Sequence, residues 1–192
     1  MVMLLNTAIN YNRAIKHCPY QDMKFNIVIP LTLMDEIECR LSELISFMLL
    51  KKESFYGNVL IQLNKKIDCT FSAPAGVNMQ YNGFTLKLNP IKLVTLAEDI
   101  SKNIKHMIAI YIHECLHILN EHLTRIIPYR SKYEHIYINI ATDCAINQYI
   151  DDLPDGCVTL EGVSEACGEK LEPKREFDYY LEKILKIKIK KA

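Results

Sequence analysis

His113 and His117 stand four residues apart with Glu114 between them, inside the stretch I-A-I-Y-I-H-E-C-L-H-I-L-N-E-H that runs from Ile108 to His122. On an α-helix residues four apart lie one above the other, so both imidazoles can reach a single metal ion. Two imidazoles are half of a tetrahedral zinc site. Glu114, one residue round from His113, stands where a general base for hydrolysis belongs: near enough to take a proton from a zinc-held water without ligating the metal. The pattern implies a zinc-dependent metallopeptidase centre. The plainer alternative is two core-edge histidines around an ordinary surface glutamate. Two imidazoles and a carboxylate on a half-buried helix need partners, however, and a metal ion is the simplest one.

A third protein ligand must come from elsewhere, and the candidates are His122 and Asp143. In a regular helix, at about 100° per residue, His122 points to roughly the opposite side from His113. It would swing toward the metal only if the helix ended near Asn120, a residue type that tolerates a left-handed cap. The metzincin pattern is missed as well: Leu123 occupies the place of its third His, and no Gly is present to turn the chain. Asp143 needs no break, since a second helix returning antiparallel would deliver it, with Asn147 one turn further on to orient a ligand imidazole. Asp143 is therefore the preferred third ligand, and His122 is the alternative ligand or a supporting or substrate-side group. Tyr133, His135, Tyr137 and Arg125 are all open as donors to a developing oxyanion.

The elements that must position these groups can be read from apolar periodicity. Ile108, Ile112, Leu116, Leu119 and Leu123 form a helical stripe beside the two imidazoles. Glu134 to Ile150 reads as the second helix, with Ile136, Ile140, Asp143, Asn147 and Ile150 on one face. A carboxylate and an amide amid isoleucines would be costly to bury unpaired, so a cation opposite them is expected. Upstream, Thr32 can cap a helix whose stripe is Ile37, Leu41, Leu44, Ile45 and Met48, and Phe25 to Ile29 could be a short strand. Val59-Leu60-Ile61, Ile67 to Phe71, Val77 to Tyr81 and Phe84 to Leu88 read as short extended runs. Asn82-Gly83 is a strong hairpin signal between the last two. A small, mostly antiparallel sheet follows, and Phe84 to Leu88, if at its edge, could hold an extended peptide by strand addition. Pro128 to Lys132 reads as a loop and Asp151 to Lys174 as turn-rich, with Cys157 and Cys167 as structural thiols. Phe177 to Lys190 reads as a terminal helix packing Tyr180, Leu181, Ile184, Leu185 and Ile187 inward.

The chain's 192 residues suffice for one well-cored domain, and the expected division is an N-terminal extension over 1–31 followed by the metal-binding domain over 32–192. An apolar content of 49% with 24% charged residues is that of a globular protein. The 23 basic residues equal the 23 acidic ones, so no basic field calls for nucleic acid or an anionic membrane. No apolar run is long enough to span a bilayer. Seven scattered cysteines without a paired framework, and no leader-like start, point to reduced thiols in a cytoplasm, that of a bacterial host if the chain is phage-encoded.

Several stretches together resemble the metallopeptidase-domain family of bacterial and phage proteins that is often found next to a VWA-like domain. They are Asn89-Pro90 ahead of the metal helix, His113-Glu114-Cys115-Leu116-His117 with His122 and Arg125, then Ala141-Thr-Asp143-Cys-Ala-Ile-Asn147. Leu153-Pro154-Asp155-Gly156 and the Tyr179-Tyr180 helix fit as well. The resemblance covers roughly residues 40 to 185 and is more specific than the short His-Glu motif alone. It implies His113, His117 and Asp143 as metal positions and Glu114 as the catalytic one.

The expectation is therefore an α+β, zincin-like domain: a small sheet, a metal-binding helix, and a second helix completing the site. Its expected activity is zinc-dependent hydrolysis of a polypeptide. A zinc-bound but non-catalytic interaction protein, a phage or regulatory accessory factor with a protein partner, is the alternative. A narrow regulatory protease with a single substrate is a third reading.

Overall fold

A computed structural model of the chain describes residues 53–191, with side-chain burial described as far as 187. The expected strand at Phe25–Ile29, the helix from Thr32 and the boundary between 31 and 32 lie outside the described residues. Within them the chain is an α+β protein with one three-stranded sheet and eight helices. It divides into two compact units, one ending at Ile108 and the other beginning at Ala109. No helix among the described residues is long and apolar enough to cross a membrane.

The first unit opens with α1 (Ser54–Gln62), where an extended run over Val59-Leu60-Ile61 was expected. Gly57, Leu60 and Leu63 are buried at spacings of three while Ile61 is exposed, which is the signature of a helix. Three apolar residues in a row cannot by themselves distinguish the two periods. The strands are β1 (Asn64–Ile67), β2 (Ala75–Gln80) and β3 (Gly83–Leu88), in the order β1-β3-β2. The Asn82-Gly83 hairpin forms as expected, pairing β2 antiparallel to β3 from Gln80↔Gly83 to Ala75↔Leu88. Its positive φ of 113° falls on Gly83, where a β-carbon would be strained.

β1 pairs parallel with β3, from Asn64↔Thr85 to Ile67↔Leu88, so the sheet is mixed and not mostly antiparallel. β3 is consequently central: Thr85 to Leu88 has a partner on both sides and cannot accept an added strand. The polar start of β1, Asn64-Lys65-Lys66, hides the strand from a hydrophobicity reading. Lysine on an edge strand is a common guard against unwanted pairing.

Asn89 closes the sheet with a fully used side chain. Its oxygen accepts from the Ile91 and Lys92 N–H groups, capping α2 (Pro90–Leu93), and its amide donates to the Cys69 and Phe71 carbonyls at 3.1 and 2.8 Å. Buried Asn103 then ties the start of α3 (Ile100–Leu119) to the preceding turn, donating to the Leu93 carbonyl and accepting from Ala97 N–H. The stripe buried along α3 is Asn103, His106, Met107, Tyr111, Glu114 and Cys115, one residue round from the expected Ile108, Ile112 and Leu116, which are only half-buried.

The second unit continues from α3 through α4 (His122–Arg125), α5 (Ile127–Arg130), α6 (His135–Asn147), α7 (Leu160–Cys167) and α8 (Phe177–Lys191). Pro128 lies in the first turn of α5, where its missing N–H costs nothing, so the expected loop there is helical. α7 was not anticipated, although Thr159 caps its start through Gly162 N–H and Gly168 ends it in the left-handed conformation. The core of this unit is built from Ile126, Ile138, Ala141, Cys144, Ala145, Val163, Leu171, Phe177, Tyr180, Leu181 and Ile184. The Ala/Cys side of α6 is thus the buried one. Ile136 on the opposite face is 56% exposed, which corrects the expectation of a buried isoleucine face around Asp143.

Candidate metal centre

α3 and α6 carry the site. One turn apart on α3, the rings of His113 and His117 pack edge to face with centroids 4.6 Å apart, and their Nε2 atoms approach to 3.0 Å. Asp143, in the middle of α6, brings Oδ1 to 3.2 Å from His117 Nε2 and 3.7 Å from His113 Nε2. Zinc–ligand bonds of about 2.05 Å at tetrahedral angles put ligand atoms about 3.3 Å apart, so these three edges bracket the spacing of a tetrahedral face. The three side chains are 15, 16 and 26% exposed, recessed but open to solvent. Among the described residues this is the one group of three or more such side chains that could hold a metal ion.

Asn147, one turn beyond Asp143, fixes the proton on His113. Its Nδ2 donates to the Val158 carbonyl at 2.8 Å, which turns its Oδ1 toward His113 Nδ1 at 2.7 Å. Oxygen can only accept, so His113 carries its proton on Nδ1 and directs the Nε2 lone pair into the triangle. Helical spacing foretold the contact between Asn147 and the imidazole. Nothing in the sequence pointed to the Val158 carbonyl.

His122 reaches the site from behind. α3 ends at Leu119, Glu121 takes a left-handed backbone conformation (φ 54°), and the reversal carries His122 Nδ1 to 3.1 Å from His117 Nδ1. The helix does end beside Asn120, where sequence allowed it, and the left-handed conformation falls one residue later, on Glu121. The ring meets the far nitrogen of His117 and stays out of the group formed with Asp143. His122 is 2% exposed. Burial first, then the His117 ring and the Arg125 guanidinium, push its pKa down to about 3 against the pull of Asp143, so the ring is neutral near pH 7.

Glu114 is buried, at 6% exposure, and is the sole acidic residue of α3. Arg125 is committed elsewhere: it pairs with Glu176 at 2.8 Å and Asp178 at 2.7 Å and stacks over Phe177, which removes it as an oxyanion donor. Tyr133 and His135 are exposed, and Tyr137 packs against the second unit's core. Cys115 and Cys144 are buried thiols pushed up to about 12, chiefly by desolvation, and burial raises Cys157 and Cys167 as well. None of the four is in a disulfide, and burial disfavours the thiolate in each.

The chain matches no protein-family model, no curated protein and no solved structure.

Proposed function

We propose that this chain is a zinc-dependent metallopeptidase with a zincin-like site, related to the bacterial and phage metallopeptidase domains that it resembles. The observation that carries this reading is the convergence of His113 Nε2, His117 Nε2 and Asp143 Oδ1, at 3.0 to 3.7 Å, on one point. Their donor set of two imidazoles and one carboxylate is that of a catalytic zinc site, which keeps a fourth position open. Zinc held there supplies Lewis-acid chemistry for amide hydrolysis.

The remaining work falls to the chain's own side chains. His113, with its proton held on Nδ1 by Asn147, offers a fixed lone pair, and Asp143 supplies the negative charge that a divalent cation needs. Glu114 is the general base: its carboxylate takes a proton and returns it to the leaving amine. The substrate is a polypeptide, and the protein acts in a cytoplasm. Zinc analysis of the purified chain, with hydrolysis of an unfolded protein followed for wild type and Glu114→Gln, tests this. The expected result is about one zinc per chain in both and cleavage by wild type alone. Cleavage by Glu114→Gln at the wild-type rate would overturn the assignment.

The second reading, a zinc-bound interaction protein, draws support from Ile127, Tyr133 and Ile136, large side chains left 53, 39 and 56% exposed from α5 through the following turn into α6. It predicts a stable complex with a protein partner that Glu114→Gln leaves unchanged.

A further inference from the structure

We infer that His122 is a positioning residue of this centre: it holds His117 through paired Nδ1 atoms and exchanges donor for acceptor there when a metal ion takes the His117 Nε2 lone pair. The inference rests on the metal reading above.

Two close nitrogen pairs run through three rings. At 3.0 Å between the Nε2 atoms of His113 and His117, and 3.1 Å between the Nδ1 atoms of His117 and His122, neither pair can present two lone pairs or two N–H groups to each other. Asn147 has already set one end of the chain, since it keeps the His113 proton on Nδ1 and leaves Nε2 bare. The atom facing that lone pair is then either a proton on His117 Nε2 or a cation shared by both nitrogens and Asp143.

Each choice fixes His122 in an opposite sense. With His117 neutral and its one proton on Nε2, His117 Nδ1 is bare and His122 must donate from Nδ1. With a metal at His117 Nε2, the His117 proton sits on Nδ1 and His122 Nδ1 must accept, so its own proton moves to Nε2. The proton leaving His117 Nε2 is matched by the one gained at Nδ1, and the reverse holds for His122, so solvent carries the transfers with no net gain or loss.

The surroundings hold the ring in this role. His122 is 2% exposed and packs edge to face on Phe177 with centroids 5.4 Å apart. The guanidinium of Arg125 lies over the same Phe177, pinned by Glu176 and Asp178. Turning the ring away would sacrifice these packing contacts, which a shift of its proton leaves in place. The left-handed backbone at Glu121 is the strained step that places it there.

Long-range nitrogen–proton correlation spectra of the full chain, stripped by a chelator and then loaded with zinc, read the three protons directly. His113 is expected to show Nδ1–H in both states, His117 to change from Nε2–H to Nδ1–H, and His122 to change from Nδ1–H to Nε2–H. In parallel, His122→Leu should weaken zinc binding roughly 10- to 100-fold, the usual cost of removing such a support. His122→Gln, whose amide can present either oxygen or NH2, should recover most of that loss. One zinc per chain with an unchanged His122 tautomer, or a loss in His122→Leu that His122→Gln does not recover, overturns this inference and leaves the metal centre standing. No zinc bound to wild type overturns both.

Discussion

Asp143 and Asn147 share one face of α6 and act on the same imidazole pair from different sides. Among the described residues, Asp143 offers the only carboxylate oxygen that converges with the two Nε2 atoms, so Asp143→Ala should abolish tight zinc binding as measured by metal analysis after dialysis. His122→Ala should bind zinc more weakly than wild type by the roughly 10- to 100-fold expected for His122→Leu, yet more tightly than Asp143→Ala, because His122 meets His117 from the far side. Asn147→Ala removes the acceptor for His113 Nδ1–H and the donor to the Val158 carbonyl together. Zinc affinity should fall about 10- to 100-fold, and two polar groups lose their partner at a cost of about 1–3 kcal/mol in unfolding free energy. A competition titration with a chromophoric chelator gives the first quantity and urea unfolding the second. An undiminished affinity would mean that Asn147 does not hold the ring.

Two elements depend on single residues whose role is conformational. Gly83 begins β3 at φ 113°, with open space around the position a β-carbon would take, so Gly83→Ala costs strain and no clash. About 1–2 kcal/mol of stability should be lost, with zinc stoichiometry unchanged because the hairpin belongs to the other unit. Thr159 caps α7 directly after Val158, whose carbonyl holds Asn147. Thr159→Ala should lower stability by about 1 kcal/mol, read from the urea midpoint; a change within error would show that the cap contributes nothing.

The whole molecule should register the metal through linkage. His113 and His117 on α3 and Asp143 on α6 converge only in the folded chain, so a metal ion that binds this arrangement stabilises it against unfolding. At free zinc near 100 times Kd the gain is about 2.7 kcal/mol. Differential scanning calorimetry should therefore show a chelator-reversible rise in Tm for wild type and none for Asp143→Ala. Equal shifts in both would place the bound zinc elsewhere.

The pattern His113-Glu114-Cys115-Leu116-His117 was legible in the sequence because helical spacing alone stacks side chains four residues apart, and the same rule put Asp143 above Asn147. The Asn82-Gly83 turn was legible for a similar reason, as backbone chemistry within a few residues selects it. What lay beyond local spacing was settled by contacts distant along the chain. Which side of α3 and α6 is buried depends on what packs there, so the expected stripe was one residue out on α3, and on α6 it included Ile136, which is exposed, beside the buried Asn147. β3 became central because Asn64-Lys65-Lys66, polar in sequence, found a parallel partner in it. The place of His122 was the least readable of all: a single left-handed residue, Glu121, decided whether its ring joined Asp143 or stood behind His117, and only the packing of Phe177 and Arg125 around that ring shows which conformation is held.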